Sequence, residues 1–239
     1  MNRIHLVSGP RNISTALMYA FGNRGDMTII DEPLYAYYLN KHPEIDHPMR
    51  SQVLEAQSAD YDTVIDQVFL GNFSTPWLLI KNMAHHLDDS DLSFIKKMKN
   101  IFLIRNPEQL IASLAQVIPN PTILDIGLKL EYEIFNYASS IKAFSVVIDS
   151  GEILKDPQKM LSMLCDKLAI PFSDKMLQWE KGPRKEDGVW APYWYKNVHQ
   201  SVGFQKQETS KRLFPERLLP LLMDAKKYYD LLYDHSLKV

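Results

Sequence analysis

Short apolar runs alternate with segments of helical periodicity along the chain, and this alternation limits the possible folds more than any other feature. The runs are continuously apolar, as is typical of strands buried on both faces of a parallel sheet. They cover residues 3–8, 27–31, 77–81, 100–105 and 144–149. The repeated strand–helix–strand order predicts right-handed crossovers, with helices on both faces of the sheet.

Segments with a helical period lie between and after these strands. They cover residues 14–24, 60–72, 106–118, 156–170 and 215–235. Residues 180–204 are rich in Trp, Tyr and Gly without a clear period, which is typical of a lid or a binding loop. We therefore predict an α/β protein: a three-layer α/β/α arrangement with a central, mostly parallel sheet and a helical C-terminal part.

Charge and composition narrow the classes of function. With 27 basic and 29 acidic residues the net charge is −2, so no general positive field attracts nucleic acid or an anionic membrane. Apolar residues make up 46% of the 239 positions and no repeat or linker is visible, so we expect a single domain over residues 1–239. One cysteine excludes an internal disulfide, and no signal peptide or membrane span is recognisable, so we expect a cytoplasmic protein. The sequence leaves open whether it forms a homo-oligomer.

The stretch "HLVSGPRNISTALMYAF", residues 5–21, passes from an apolar strand through a Gly-Pro turn into a helix. Unpaired backbone N–H groups and the helix dipole favour an anion at such a helix start. Arg11 offers a bidentate fork to a phosphate, and Ser14 and Thr15 offer hydroxyl donors. A simpler interpretation is also open, in which Asn12 or Ser14 caps the helix and Arg11 is solvated.

A second candidate phosphate site follows the fourth strand, in "IRNPEQLIASL". Arg105 ends the strand, and Pro107 suits the first turn of the following helix. Ser113 lies about two helical turns beyond Arg105, so the two side chains can converge on one anion at the sheet edge. Alternatively, Arg105 is an ion-pair partner at the strand end and Ser113 is a small packing residue.

Together these segments resemble the signature pair of the sulfotransferases that use 3'-phosphoadenosine 5'-phosphosulfate (PAPS). In that family a Pro-Lys-Ser-Gly-Thr-Thr loop after the first strand binds the 5'-phosphosulfate. An Arg-Asn-Pro run, with a Ser eight residues after the Arg, binds the 3'-phosphate. The first loop is a variant here, with Arg11 at the Lys position and Asn12-Ile13 at the Ser-Gly pair. The resemblance assigns to the donor Arg11, Asn12, Ser14, Thr15, Arg105 and Ser113.

The resemblance implies a P-loop NTPase-like fold, PAPS as donor, adenosine 3',5'-bisphosphate (PAP) as product and no metal. The first turn lacks the Gly-Lys-Ser/Thr of a nucleotide triphosphatase, which argues against that class. Sulfuryl transfer parallels phosphoryl transfer, in which positioning and electrostatic stabilisation supply most of the effect. Arg11 then stabilises the leaving phosphate.

Glu32 is the first candidate for the base that removes the acceptor proton. It follows the second strand, in "IIDE", and so lies at the same sheet edge as the phosphate loop. Several branches of the resembled family place a carboxylate base just after this strand. Asp31 and Glu32 equally fit a cap for the short helix that follows.

The segment "LIKNMAHHL" supplies further catalytic candidates. Many members of the resembled family carry Lys-Thr-His after the third strand. Lys81 matches the Lys and is expected to act on the bridging or leaving oxygen, whereas Met83 stands where the His would be. His85 and His86 follow, and His85 is an alternative base, although paired histidines also occur as capping or surface residues. Their spacing with the following aspartates is not a recognised zinc ligand set, so no metal site is predicted.

The late segment "GPRKEDGVW" loosely resembles the family elements that close over the nucleotide. The resemblance assigns Arg184 and Lys185 to the 3'-phosphate. Trp190, Trp194 and Tyr195 are candidates for stacking on the adenine or for lining the acceptor pocket. Packing of this segment against the core accounts for its aromatic residues as well.

The sequence therefore predicts an enzyme, a PAPS-dependent sulfotransferase that moves a sulfuryl group to a hydroxyl or amine of a small acceptor. The tyrosines after Glu32 and the Trp-rich segment suggest an aromatic pocket for that molecule. Two alternatives stay open. One is a catalytically silent nucleotide-binding module of the same fold, favoured by the missing family histidine, and the other is a nucleotide-dependent kinase.

Overall fold

Parallel strands form a central six-stranded sheet in the computed structural model, which describes residues 2–45, 47–205 and 213–239. The strands are β1 (Asn2–Ser8), β2 (Met27–Asp31), β3 (Trp77–Met83), β4 (Lys99–Ile104), β5 (Ser145–Asp149) and β6 (Ser236–Leu237). Their order in the sheet is β2-β3-β1-β4-β5-β6, and every neighbouring pair is parallel. The carboxyl ends of the strands therefore meet at one edge.

Helices connect the strands and form the C-terminal part of the chain. In chain order they are α1 (Ser14–Gly22), α2 (Tyr35–Lys41), α3 (Arg50–Ala56), α4 (Tyr61–Val64), α5 (Pro107–Leu114), α6 (Ile123–Ile126), α7 (Leu128–Ser140), α8 (Ser150–Lys155), α9 (Pro157–Leu168), α10 (Ala191–Trp194), α11 (Lys196–His199) and α12 (Leu219–Tyr233). Within the described ranges, no helix has both the length and the apolar character needed to cross a bilayer.

Each face of the sheet has its own apolar core, because successive side chains of a strand point to opposite faces. On one face, Ile4 and Leu6 of β1 lie in a cluster with residues of α1 and α9. On the other face, Val7 lies in a cluster with residues of α5, α7 and α12. This two-sided burial explains the continuous apolar runs and confirms the predicted three-layer α/β/α architecture with a parallel, P-loop NTPase-like sheet.

The predicted strands are all present, with small shifts at their ends. β2 has the predicted bounds, β3 continues to Met83, and β4 ends one residue before Arg105. β6 was not predicted, because two residues near the end of an apparently helical tail give no periodic signal.

The predicted helices show larger differences. The single helix expected over residues 60–72 is α4 followed by a π-helical segment, Ile65–Phe69. α5 ends at Leu114, four residues earlier than expected, and α7 lies outside the predicted helices.

The segment predicted as a lid or binding loop, residues 180–204, contains α10 and α11. Part of it packs against α2 and α3 in a third apolar cluster, separate from the two cores of the sheet. We call this the cap cluster, and its buried members are Tyr35, Ala36, Leu39, Val53, Trp190, Ala191 and Tyr195. The cap cluster holds residues 190–195 beside the carboxyl ends of β2 and β3, where the Tyr195 hydroxyl contacts Asp31 and Lys81.

Candidate active site

The phosphate loop, residues 9–13, joins β1 to α1 in a backbone conformation that is unusual for its residues. Arg11 (φ 61°) and Ile13 (φ 59°) both lie in the left-handed region, which is a strained conformation for side chains other than glycine. No side chain caps α1, so neither Asn12 nor Ser14 acts as the cap that the simpler interpretation required. The helix start therefore presents uncapped N–H groups beside Arg11, as an anion site needs.

The two candidate phosphate segments lie together. Arg11 Nε donates a hydrogen bond to Ser113 Oγ over 3.1 Å, and the Arg105 guanidinium donates to the carbonyl oxygen of Arg11 over 2.6 Å. Arg105 and Ser113 are both buried. The structure thus places Arg11, Arg105 and Ser113 in contact at the carboxyl ends of β1 and β4, while their role in binding a donor stays a prediction.

Local contacts hold these segments in place. Asn106 caps α5 by accepting hydrogen bonds from the N–H groups of Glu108 and Gln109, with a proline at the first helical position. Asn12 is buried and donates to the carbonyl oxygen of Leu103 over 2.7 Å, so it ties the phosphate loop to β4. Asn12 therefore supports the loop with its amide nitrogen.

Lys81 of β3 lies at the centre of a buried polar network. Its Nζ donates to Asp31 Oδ1 over 2.9 Å, to the Tyr195 hydroxyl over 2.8 Å, and to Glu32 Oε1. An ammonium group has three N–H donors, so all of them are used, and the side chain is 0% exposed. The structure therefore does not show the expected role of Lys81 at a bridging or leaving oxygen, because no donor is left for a ligand.

Tyr195 connects this network to the cap cluster. Its hydroxyl donates to Asp31 Oδ2 over 2.7 Å and accepts hydrogen bonds from Lys81 Nζ and, over 3.1 Å, from Trp190 Nε1. Burial raises the pKa of Tyr195 well above its ordinary value, and the Asp31 and Glu32 carboxylates add to this effect, so the phenol stays neutral.

Glu32 follows β2 with a positive φ of 44° and is buried next to Lys81. Burial raises the pKa of Glu32, the Lys81 charge opposes this effect, and the Asp31 charge adds to it. Burial by itself lowers the pKa of Lys81, but the Asp31 and Glu32 charges outweigh it and raise that pKa overall. Lys81 therefore stays charged. Glu32 Oε2 makes no hydrogen bond to the residues that the structure describes.

His86, rather than His85, lies next to Glu32. The distance from His86 Nε2 to Glu32 Oε2 is 3.9 Å, and the His86 ring stacks on Tyr35 with centroids 4.6 Å apart. His85 packs against Tyr38 and, within the described part of the chain, makes no hydrogen bond to Glu32. Burial lowers the pKa of His85 to about 4 and that of His86 well below its ordinary value, so both are neutral near pH 7. The expected role of His85 as a base has no supporting contact.

The structure separates two of the late candidates from the phosphate loop. The Arg184 guanidinium lies over the Tyr19 ring at 4.3 Å from its centroid, and the Lys185 side chain is 91% exposed. Both line a second groove rather than the cavity that contains Arg11 and Arg105. Their assignment to the 3'-phosphate therefore stays a prediction that the geometry does not support.

Trp190 belongs to the cap cluster instead of offering a ring face to a ligand. It lines the cavity with Arg11, but its side chain is only 1% exposed and its Nε1 donates to Tyr195. The interpretation that this residue packs the late segment against the protein is the one that fits the structure.

A single cavity of 1180 Å³ contacts both the phosphate segments and the buried network. Its lining includes Arg11, Ser14, Thr15, Arg105, Ser113, Glu32 and Lys81. A donor at the phosphate segments and an acceptor next to Glu32 can therefore share one cavity. Across residues 2–45, 47–205 and 213–239, no group of three or more His, Cys, Asp or Glu side chains is arranged to hold a metal ion.

Sequence reasoning did not place Asp31 or Tyr195 in the network around Lys81. Asp31 was considered only as a helix cap, although it stands next to Glu32 after a buried strand. Tyr195 lies in a segment with several aromatic residues, and nothing in its spacing distinguishes it from Tyr193 or Trp194.

The amino-acid sequence of the chain matches a known family. Residues 2–230 match the family described as "Sulfotransferase domain". The chain belongs to the sulfotransferase family. The resemblance that rests on the phosphate segments is therefore confirmed over nearly the whole chain.

Relatives of similar sequence occur in Arabidopsis thaliana. The chain is 38% identical over 233 residues to Branched-chain-amino-acid aminotransferase-like protein 1, and 34% identical over 236 residues to Branched-chain-amino-acid aminotransferase-like protein 2. The matches cover 97% and 98% of this chain but 42% of each relative, so the chain spans less than half of their length.

Solved sulfotransferase domains share the fold. The sulfotransferase domain of the Synechococcus PCC 7002 olefin synthase superposes with a TM-score of 0.63 at 18% identity, covering 96% of this chain and 94% of that domain. The sulfotransferase domain of the curacin biosynthetic pathway gives a TM-score of 0.56 at 16% identity, covering 96% and 97%. At sequence identities of 18% and 16%, the similarity to these domains shows a shared fold only.

Proposed function

We propose that this protein is a PAPS-dependent sulfotransferase that transfers a sulfuryl group to a small acceptor. One observation carries the proposal. The Arg11–Ser113 and Arg105–Arg11 contacts bring the two predicted phosphate segments together, in the cavity that also reaches Glu32. Two guanidinium groups at one sheet edge suit the two separate phosphates of a single adenosine ligand.

In this proposal the donor is held from both sides of the phosphate loop. Arg11, Ser14, Thr15 and the uncapped N–H groups of α1 bind the 5'-phosphosulfate. Arg105 and Ser113 bind the 3'-phosphate. The sulfur–oxygen bond to the 5'-phosphate breaks as the acceptor oxygen bonds to sulfur, and Arg11 stabilises the charge that develops on the phosphate.

Glu32 acts as the base through Oε2, because Oε1 is occupied by Lys81. Burial leaves the pKa of Glu32 above its ordinary value, which suits a base, and the Lys81 charge limits this rise. Lys81 is accordingly a positioning residue for the base rather than a group that touches the donor.

A donor-binding assay is the first test. Titration calorimetry should detect PAP binding in preference to ATP, and Arg105→Gln should weaken PAP binding about 10- to 100-fold, since a hydrogen bond to a charged group contributes about 1.5–3 kcal/mol. Arg217→Gln is the matched control, because that guanidinium also donates to one carbonyl oxygen, that of Pro119, but lies outside the cavity lining. Preference for ATP supports the kinase alternative and contradicts the proposal.

A transfer assay is the second test. With labelled PAPS and a broad set of hydroxylated and amino compounds, the unsubstituted protein should release PAP and label an acceptor. Glu32→Gln should reduce this turnover at least 100-fold while PAP affinity stays within about threefold, as expected for loss of a general base. PAP binding without any transfer supports the alternative of a silent nucleotide-binding module.

A further inference from the structure

Beyond Glu32, one wall of the cavity is formed by four side-chain rings and one carboxylate that have no role in the proposed chemistry. We call it the acceptor wall, and it consists of Tyr35, Tyr38, His85, His86 and Asp88. The His86 ring stacks on Tyr35 at 4.6 Å and lies 5.2 Å from Tyr38, centroid to centroid. Because His86 is also 3.9 Å from Glu32, a single imidazole separates the proposed base from the Tyr38 ring.

The charges around this wall are negative. Burial, together with the smaller effects of the Asp125, Asp88 and Glu44 carboxylates, raises the pKa of Tyr38 to about 12, so all three carboxylates act on the same ring. All three also line the cavity. The histidines of the wall do not balance Asp125 and Asp88, since burial keeps His85 and His86 neutral near pH 7, whereas Glu44 is 3.1 Å from His42 Nδ1.

Lys41 and Arg50 are the basic residues near this wall, and the contacts that the structure gives them do not include the Asp88 carboxylate. Lys41 binds the Asp89 carboxylate and the carbonyl oxygens of Asp88 and Asp89. Arg50 donates to the carbonyl oxygen of Leu39 in α2 and to those of His42 and Ile45 in the α2–α3 connection. In the described part of the chain, the Asp88 carboxylate has no ion pair or hydrogen bond, although Asp88 lines the cavity.

A buried polar atom at the wall points to a ligand as well. His86 is 1% exposed, and its Nδ1 has no hydrogen-bond partner among the residues that the structure describes. Buried polar atoms are rarely left without a partner, and those that are call for an explanation such as a bound group. A polar acceptor beside the acceptor wall provides one.

We propose that the acceptor is a hydroxylated molecule that carries a positively charged amine. Its hydroxyl lies at Glu32, and its ammonium group lies between the Tyr38 ring and the Asp88 carboxylate. Ring faces and a carboxylate are the groups that recognise an ammonium ion in proteins. This inference rests on the proposed sulfotransferase function and narrows the accepting atom from a hydroxyl or amine to a hydroxyl.

Two matched series of acceptors test the inference with labelled PAPS. The aromatic series is tyramine, para-ethylphenol and para-hydroxyphenylpropionate, and the aliphatic series is aminohexanol, hexanol and hydroxyhexanoate. Within each series the hydroxyl is constant and the far end is cationic, neutral or anionic. We expect the cationic member of at least one series to show a kcat/KM at least tenfold above its neutral partner, and the anionic member to be the poorest.

Asp88→Asn tests the proposed contact. It should raise the KM of the favoured cationic acceptor about tenfold, leave the KM of the neutral partner within twofold, and leave PAP affinity unchanged. Asp89→Asn is the matched control, because that neighbouring side chain is 92% exposed and does not line the cavity. It should change neither KM.

The outcomes separate the inference from the proposed function. Equal turnover of the three members, preference for the anionic member, or an equal effect of Asp88→Asn on cationic and neutral acceptors overturns the inference. Binding of PAP with no transfer to either series also overturns it. Absence of PAP binding contradicts the proposed function itself.

Discussion

Lys81 is the side chain on which the candidate reaction centre depends most. Removing an ammonium ion from water is unfavourable by several kcal/mol unless charges and hydrogen bonds replace the water. Asp31, Glu32 and Tyr195 replace it at each of the three N–H groups. Each of these residues therefore contributes to stability as well as to the geometry of the site.

Tyr195→Phe removes one hydroxyl from this network and changes the shape of the side chain very little. We expect the free energy of unfolding in urea to fall by about 1–3 kcal/mol, because Lys81, Asp31 and Trp190 each lose a buried partner. Tyr193→Phe is the matched control, since that ring is 45% exposed, and should change stability by less than about 0.5 kcal/mol. Similar effects of the two substitutions would mean that the network does not stabilise the protein.

Glu131 is a second buried ionisable residue, located beneath the phosphate loop. Its carboxyl is 0% exposed and lies close to Gly9, where an added Cβ would be 3.1 Å from Glu131 Oε1. Burial raises the pKa of Glu131 well above its ordinary value, against a smaller lowering by the Gly9 N–H. The folded protein therefore retains this proton at a pH where the unfolded chain releases it, so stability falls as the pH rises above the unfolded pKa of 4.5.

Glu131→Gln keeps the shape of the side chain and removes the ionisation. Relative to the unsubstituted protein, the variant should gain stability as the pH rises from about 4 to about 8, measured by urea unfolding at each pH. Glu133→Gln, on the same helix with a half-exposed side chain, should show no such trend. A gain that does not depend on pH would contradict the assignment of a protonated Glu131.

Single residues differed in how well the sequence predicted them. The spacing of Arg105 and Ser113 placed both at the phosphate loop, because a strand end and a helix of fixed rise define that geometry. Lys81 was predicted to be a site residue, but its partners in the buried network were not predicted. Those partners come from distant parts of the chain, and Tyr195 reaches Lys81 across 114 positions.

The phosphate loop shows how an element can keep its shape while its sequence changes. Ile13 occupies the position of the Gly in the Pro-Lys-Ser-Gly-Thr-Thr pattern, and its φ of 59° is one that glycine adopts without strain. A non-glycine residue in this conformation costs about 1–2 kcal/mol. The uncapped start of α1 thus retains a glycine-like backbone despite the isoleucine.

Substitution of Ile13 tests this conformation. Ile13→Gly and Ile13→Ala both remove most of the side chain, but only Gly also removes the strain. We expect Ile13→Gly to be more stable than Ile13→Ala by about 1 kcal/mol in urea unfolding, the reverse of the usual order. The same pair at Ala16 of α1, where Gly replaces the native Ala, should show the usual order, with Gly less stable. The usual order at both positions would contradict the left-handed conformation of residue 13.

Helix ends were the least predictable elements. The pattern over residues 60–72 was continuous, but the chain changes from α4 to a π-helical segment at Ile65, which hydrophobic periodicity does not report. α5 also stops at Leu114 while the apolar pattern continues. Tertiary packing decides such ends, whereas the strands, buried on both faces, were visible in the sequence.

For the molecule as a whole, buried neutral histidines make stability depend on pH. Burial lowers the pKa of His5 to about 3 and that of His85 to about 4. The stability that they contribute is complete above the unfolded pKa of 6.5 and is lost as the pH falls towards the folded values. Each such histidine adds a slope of up to about 1.4 kcal/mol per pH unit.

We expect His5→Gln to remove the slope due to His5, so that lowering the pH from about 7 to about 5 changes the free energy of unfolding less unfavourably in the variant than in the unsubstituted protein. Urea unfolding at several pH values measures both slopes. His235→Gln, at an exposed position, should leave the slope unchanged. A His5→Gln variant with the original slope would show that His5 already takes up a proton in the folded protein.

The architecture was the most predictable property of the molecule. The order of strands and helices was enough to predict a parallel sheet with a phosphate loop at its edge, because βαβ connections allow few topologies. The packing of residues 190–195 onto α2 and α3 was not predictable, since aromatic residues in an aperiodic segment do not indicate which surface they cover.

The Tyr195–Asp31 hydrogen bond joins residues 164 positions apart, and this has a consequence for synthesis. A ribosome that adds about 5–20 residues per second produces the acidic pair roughly 8–30 seconds before the tyrosine that covers it. During that interval the emerging polypeptide has its lysine and its acids open to water. The buried network is therefore completed late in translation. A chain truncated before Tyr195 would contain Lys81, Asp31 and Glu32 without the tyrosine that covers them.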